Sequence, residues 1–228
     1  MKKIMNSALT VIAAFLTATA VYGYAQAGGM PESKAEYSAA TSMETDDTTI
    51  KGKVFHTPNK ERREMHTGGQ KNIMIIRQDK KLTWMLMPNE RMYMESKMGS
   101  DKDSNKEMDA SSMKIEGGDM GSETINGIAT TKKKVVMKMQ DGTAMGGYVW
   151  MSKEGIAVKT DMVSKGSGHK MRMKTELSDL KVGRQDQSLF EIPAGYKPMS
   201  FGGMMRDAGT EAGERDAERG RRRGRRGY

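Results

Sequence analysis

The side chains in this sequence most suited to chemistry are thioethers. Of its 24 methionines, 22 lie past residue 27, against 5 leucines in the same stretch. Several form M-x-M pairs, among them Met92/Met94, Met137/Met139 and Met171/Met173. Side chains two apart on a strand share a face, so each pair sets two flexible thioethers on one side of a sheet while Lys138 or Arg172 points to the other. Such sulfur is soft, polarisable and adaptable. It suits a deformable apolar binding surface, a soft cation such as Cu(I), or packing alone in a domain short of leucine. Copper requires three thioethers, or two and a histidine, to converge.

Other chemistry is poorly supplied. The chain has no cysteine to act as a nucleophile and no Gly-x-Ser-x-Gly turn, and His56, His66 and His169 are isolated from one another. The ten-residue step from His56 to His66 matches no standard metal-ligand spacing. The run Asp101-Lys102-Asp103-Ser104-Asn105 begins like a calcium loop, but Lys106 and Ser112 stand where that loop requires Gly and a bidentate Glu, so it reads as polar surface. The expectation is a protein that is not an enzyme and carries no cofactor.

Lys2 and Lys3, an apolar stretch from Ala8 to Val21, and Ala25-Gln26-Ala27 before Gly28 read as a cleavable signal peptide over residues 1–27. That stretch is too short to span a bilayer. Export into a bacterial periplasm is expected, and without a cysteine neither a lipid anchor at the cleavage site nor a disulfide is available. Residues 28–34 read as a linker, 35–200 as one domain, and 201–228 as a disordered tail too poor in apolar side chains to offset the cost of ordering it.

The formal charge of +9 falls to +7 without Lys2 and Lys3, and the eight Arg and five acids from Arg206 onward contribute +3 of that. Arg219, Arg221, Arg222, Arg223, Arg225 and Arg226 crowd the end of the chain. In a periplasm such a run meets anionic phospholipid or lipopolysaccharide rather than nucleic acid, or serves solubility alone. A monomer is expected.

The elements that must position the methionines read as strand after strand. Tyr37 to Met43, Ile50 to His56 and Arg91 to Glu95 alternate, and Asn72 to Ile76 and Leu82 to Met87 are almost wholly apolar. Lys132 to Met139, Tyr148 to Ser152, Gly155 to Val163 and Lys170 to Leu177 continue the series. Turn residues separate them: Thr45-Asp46-Asp47, Thr57-Pro58-Asn59, Thr67-Gly68-Gly69, Gln78-Asp79-Lys80 and Pro88-Asn89. A step of about ten residues per strand and turn is that of an antiparallel meander. Only 97–122, rich in Gly, Ser, Asp and Lys, breaks the rhythm and reads as a flexible insertion.

The run from Gly52 through Val54, Phe55, His56, Thr57, Pro58 and Asn59 to Glu64, then Asp79-Lys80-Lys81-Leu82-Thr83-Trp84-Met85-Leu86-Met87-Pro88, resembles the strand and turn signature of the LolA-like lipoprotein-carrier superfamily. Ser188-Leu189-Phe190-Glu191-Ile192-Pro193-Ala194-Gly195-Tyr196 resembles its last strand and the turn before it. The Met-rich middle is similar to a Met-rich periplasmic branch of that superfamily, and the likeness covers about residues 35 to 200. It implies a mainly β fold, a strongly curved antiparallel half-barrel with few or short helices, whose concave face holds acyl chains or another apolar ligand beneath helical lids. Only Gly28 to Glu36 precede Tyr37, where the carrier has a long helix, so a lid must come from 97–122 or be absent. The carrier's functional arginine falls at the stretch matched by Pro58 to Arg63, which offers both Arg62 and Arg63. The expected lining of the concave face is Trp84, Met92, Met94, Met137, Met139, Trp150, Met171 and Met173, with a lipid or other apolar molecule as partner.

Overall fold

The computed structural model describes residues 33–67, 69–98, 113–115, 119–138, 144–166 and 169–199. The expected signal peptide, most of the 97–122 insertion, the Arg-rich tail and Met139 lie outside the described residues. The described chain is mainly one large antiparallel sheet, curved but not closed, with no helix longer than a single 3-10 turn.

Its strands are β1 (Tyr37–Thr45), β2 (Thr49–Thr57), β3 (Lys60–Thr67), β4 (Gln70–Arg77), β5 (Leu82–Met87), β6 (Met92–Lys97), β7 (Met113–Ile115), β8 (Ser122–Ile125), β9 (Ile128–Lys138), β10 (Ala144–Ser152), β11 (Ala157–Gly166), β12 (His169–Val182) and the two-residue β13 (Lys197–Pro198). The order across the sheet is β13-β6-β5-β4-β3-β2-β1-β12-β11-β10-β9-β7, and β8 also pairs with β9. Two meanders, β1 to β6 and β9 to β12, are therefore joined where the long β12 returns beside β1.

Tight turns make the meanders. Asn59 (φ 65°) and the Asn126-Gly127 pair (φ 49° and 79°) adopt the left-handed conformation that Asn and Gly tolerate, and close two-residue hairpins. The expected strands are present, and four elements differ from expectation, one of them the unexpected β8 paired with β9. Lys60 to Thr67, charged or polar at every position but Met65, is a central strand. Part of the 97–122 stretch is strand, since β7 pairs with β9. The 188–196 segment is a 3-10 turn (Gln187–Phe190) followed by irregular chain, and only Lys197 and Pro198 pair, in parallel, with β6.

Curvature comes from two glycines. Following the register outward from β1, Gly52 and Gly147 face the same side as Met43, Met65, Met162 and Met173. A Cβ on Gly52 would lie 2.0 Å from the Glu64 carbonyl oxygen, and one on Gly147 would lie 2.0 Å from that of Asp161. In a flat sheet a Cβ stands clear of the neighbouring backbone. Here the adjacent strand folds toward that side, which is therefore the concave one.

Both faces bury apolar side chains. On the concave side Met43, Ile50, Met65, Met74, Ile76 and Met173 form one cluster, and Val135, Met145, Val149 and Met162 another. On the convex side of β4 and β5, Ile73, Ile75, Trp84 and Leu86 are covered by Phe190, with Leu189, Ile192 and Tyr196 packed alongside. The 3-10 turn that delivers Phe190 is capped by Asp186, whose carboxylate accepts from the Ser188 N–H at 2.9 Å.

Arg77, its side chain 4% exposed, fastens this strap. It donates to the Phe190 carbonyl at 3.0 Å and to the Glu191 carboxylate, and clasps Asp79 through two bonds of 2.8 and 2.7 Å. Arg62 adds a bond to the Leu189 carbonyl at 3.0 Å. The Asp79 carboxyl is held below its ordinary range by the Arg77 hydrogen bonds. For Glu191, burial pushes upward but the bonds from Arg77 and Lys80 outweigh it, so its carboxyl also sits low. A depressed carboxylate stabilises the fold above its unfolded pKa of about 4 and loses that contribution as pH falls through the folded value. The strap should therefore loosen below about pH 4. Trp84 fluorescence, read in a Trp150→Phe background, should report it, and Arg77→Met should remove this acid transition.

Candidate functional site

Methionine segregates by face. Every methionine with a described side chain and a paired strand position lies on the concave side: Met43, Met65, Met74, Met85, Met87, Met92, Met94, Met145, Met151, Met162, Met171 and Met173. The convex cluster around Phe190 contains none. The alternation runs within single strands, since Ile73 and Ile75 point outward around Met74, and Met85 and Met87 point inward around Leu86.

Exposure grades across this wall. Met74 is fully buried, Met173 is 4% exposed, and Met85, Met87, Met92 and Met94 near the β6 edge are half-buried. Met171 is 38% exposed. Thioethers stand directly opposite one another at Met85/Met94, Met87/Met92 and Met162/Met173. Met137 takes the register position opposite Met145.

Two of the residues expected on this wall are on the other face. A period of two puts Trp84 opposite in sense to Met85, and its indole N–H donates to Glu95 at 3.0 Å, with Lys80 and Arg77 5.2 and 5.7 Å from the ring centre. Trp150 pairs with Lys132 and Lys159, whose ammonium groups lie 4.9 and 4.8 Å from its ring, and donates to Glu123 at 2.6 Å. Both indoles need a polar partner for N–H, which the thioether wall does not supply. Arg172 and Lys174 are on the convex face as their parity predicts, Arg172 paired with Asp161 at 2.6 Å.

One end of the concave face combines polar groups with a methionine-free buried cluster that includes Tyr37, Ala39, Val54 and Leu177. Tyr37 stacks on His56 with ring centres 4.9 Å apart, and His56 Nδ1 lies 3.1 Å from the Ala35 carbonyl. Burial, then the nearby Glu61 charge, pushes the Tyr37 hydroxyl well above its ordinary range, so it stays protonated. Glu61, 1% exposed, pairs with Arg63 through Oε1, while its Oε2 has no hydrogen-bond partner among the described residues.

The two arginines of the stretch are thereby told apart. Arg63 shares the concave face with Met74 and Val54. Arg62 lies on the convex face, bonded to Glu64 at 2.8 Å. Glu64 is pushed up by burial but held low overall by hydrogen bonds from Lys71 and Arg62. The sequence carries a signal for this arrangement that hydropathy hides. In Glu61-Arg62-Arg63-Glu64 the opposite charges fall two apart, so each face of a strand receives one ion pair.

His66 is exposed on the convex side, and His169 begins β12 opposite Gly166. Among the described residues no group of three or more His, Cys, Asp or Glu could hold a metal ion. The convex face also carries a polar groove of about 300 Å³ lined by Ser42, Glu44, Asn126, Lys174, Glu176 and Ser178. Asn126 reaches into it from the β8–β9 turn to donate to Glu176 at 3.0 Å and to the Leu177 carbonyl at 2.8 Å.

No family model and no curated protein matches the sequence. Among solved structures, the fold is similar to that of an uncharacterized conserved protein from Thermus thermophilus, with a TM-score of 0.50 and 14% identity over 79% of this chain and 98% of that one. MucB in the Pseudomonas aeruginosa MucA/MucB complex gives a TM-score of 0.46 and 9% identity over 78% of this chain, which spans 62% of the MucB chain. A Vibrio parahaemolyticus domain described as an outer membrane lipoprotein-sorting protein gives 0.34 and 8% over 75% and 94%. At these identities the likeness to the first of them is one of fold alone.

Proposed function

We propose that this chain is a periplasmic, non-catalytic binding or carrier protein that holds a lipid, an acyl chain or another apolar ligand against its methionine-lined concave face. The observation that carries the reading is the segregation of methionine by face. Were Met a mere replacement for scarce Leu, the convex core would hold it too. Instead that core uses Ile, Leu, Trp and Phe, which lock into defined rotamers, while the concave wall adds to its Ile and Val a set of methionines, the apolar side chain that best reshapes itself around a guest. Arg63 and the unpartnered Oε2 of Glu61 give the wall one polar end, where the head of an amphipathic ligand would find a charge and an acceptor.

Uptake of a fluorescent fatty-acid analogue tests the reading. Saturable binding to the full chain is expected, reduced roughly tenfold or more by Met94→Asp, which buries a charge against the ligand. Lys53→Asp, on the convex face, should leave it unchanged. No saturable uptake by the unmodified protein, or equal loss from both variants, overturns the reading.

A further inference from the structure

We propose that Met85, Met87, Met92 and Met94 form a binding site for a soft monovalent cation, Cu(I) or its analogue Ag(I), at the β5–β6 edge of the concave face.

The four residues form a block. Met85 stands directly opposite Met94, and Met87 directly opposite Met92. All four point to one face, because the members of each strand's pair are two residues apart. Directly paired side chains have Cβ atoms about 5 Å apart, and diagonal ones about 7–8 Å, within the reach of long side chains. Methionine, unbranched with three rotatable bonds, can turn four sulfurs toward a common point from these positions. Met74, opposite Met85 on β4, is fully buried and closes the block on its inner side.

Three features select the ion. Thioethers are neutral and soft, so they favour Cu(I) over hard or borderline divalent ions, which take carboxylate or imidazole. The register neighbours along the same face, Thr83 and Ser96, are a directly opposed hydroxyl pair rather than anions. Flanked along the strands by hydroxyls rather than carboxylates, the block suits a single positive charge better than a double one. Finally, the four residues are half-buried rather than enclosed, so an ion can arrive without opening the sheet. The cross-strand pair Met162/Met173, with Met145 nearby, lies within the buried clusters, where its sulfurs are packing atoms.

The test is titration of the full-length protein with Ag(I), which needs no reductant, and with Cu(I) under ascorbate against a chromophoric Cu(I) chelator. One ion per chain with submicromolar affinity is expected. Replacing all four by Leu should weaken ion binding a hundredfold or more. The triple variant Met145→Leu, Met162→Leu, Met173→Leu should bind the ion like the unmodified protein. Should the fourfold variant fail to fold by circular dichroism, the pairs Met85→Leu/Met94→Leu and Met87→Leu/Met92→Leu, made separately, should each weaken binding about tenfold. X-ray absorption of the Cu(I) form should show sulfur as the only first neighbour. Absence of tight binding to the unmodified protein, retention of affinity by the folded fourfold or pair variants, or loss in the triple variant instead would each overturn the assignment. Because the readout is the ion and not the lipid, failure here leaves the apolar-ligand reading standing, and failure of fatty-acid uptake leaves this one standing.

Discussion

Gly147→Ala should destabilise the protein by about 3 kcal/mol or more, the upper end of what overpacking costs. The added carbon would sit 2.0 Å from the Asp161 carbonyl oxygen and 2.9 Å from Met162 Cα, both backbone atoms of the paired strand. A flexible side chain in that position could swing aside. A laddered backbone cannot do so without breaking the hydrogen bonds that hold β10 to β11. Gly52→Ala, which meets the Glu64 carbonyl at the same 2.0 Å, should behave alike. The control is the adjacent Gly146→Ala, whose new carbon would find its nearest neighbour at 3.5 Å, an ordinary contact. That variant should stay within about 0.5 kcal/mol of the parent. For a domain of this size about 3 kcal/mol corresponds to a drop of roughly 10 °C in Tm, readily seen by circular dichroism. Coincident melting of the Gly146 and Gly147 variants would mean that the sheet is not folded sharply at β10.

Phe190→Ala should cost about 3–5 kcal/mol, the usual range for emptying a buried aromatic site. The ring is fully buried against Ile73, Ile75, Trp84 and Leu86, so its removal opens the centre of the convex core. The effect should also be local, because the strap from Gln187 to Tyr196 is held by that ring and by the bonds of Arg77 and Arg62 to its carbonyls. In urea titrations the midpoint should fall, and hydrogen exchange at Leu189 and Glu191 should rise ahead of exchange in β4. A variant whose strap amides exchange no faster than those of β4 would show that the segment is anchored elsewhere.

Most of the sheet was legible in the sequence because a strand's pattern is local. Alternation marked β1, β2 and β6, apolar runs marked β4 and β5, and Pro, Asn, Asp and Gly marked the turns between them. β3 was missed because its charges fall on both faces, as Glu61/Arg63 and Arg62/Glu64, so hydropathy shows no period. β8 was missed although Asn126-Gly127 between Ile125 and Ile128 is a strong hairpin signal. The C-terminal segment reads as a last strand and the turn before it, yet Leu189, Phe190 and Ile192 act as plugs on a sheet face and the backbone pairs only at Lys197 and Pro198.

By itself, the sequence determined which side chains share a face within each strand, since a period of two is a property of the extended backbone. It thereby set Met85 with Met87, Met92 with Met94, and Met171 with Met173. What it left open is how those faces combine, because parity in one strand says nothing about parity in the next. Register does that, through hydrogen bonds between residues as distant as Met43 and Thr175. Only the tertiary structure put the strand methionines with described side chains on one wall, moved Trp84 and Trp150 off it and separated Arg63 from Arg62. It also made that wall concave, because the bend depends on backbone from a neighbouring strand filling the space that Gly52 and Gly147 leave.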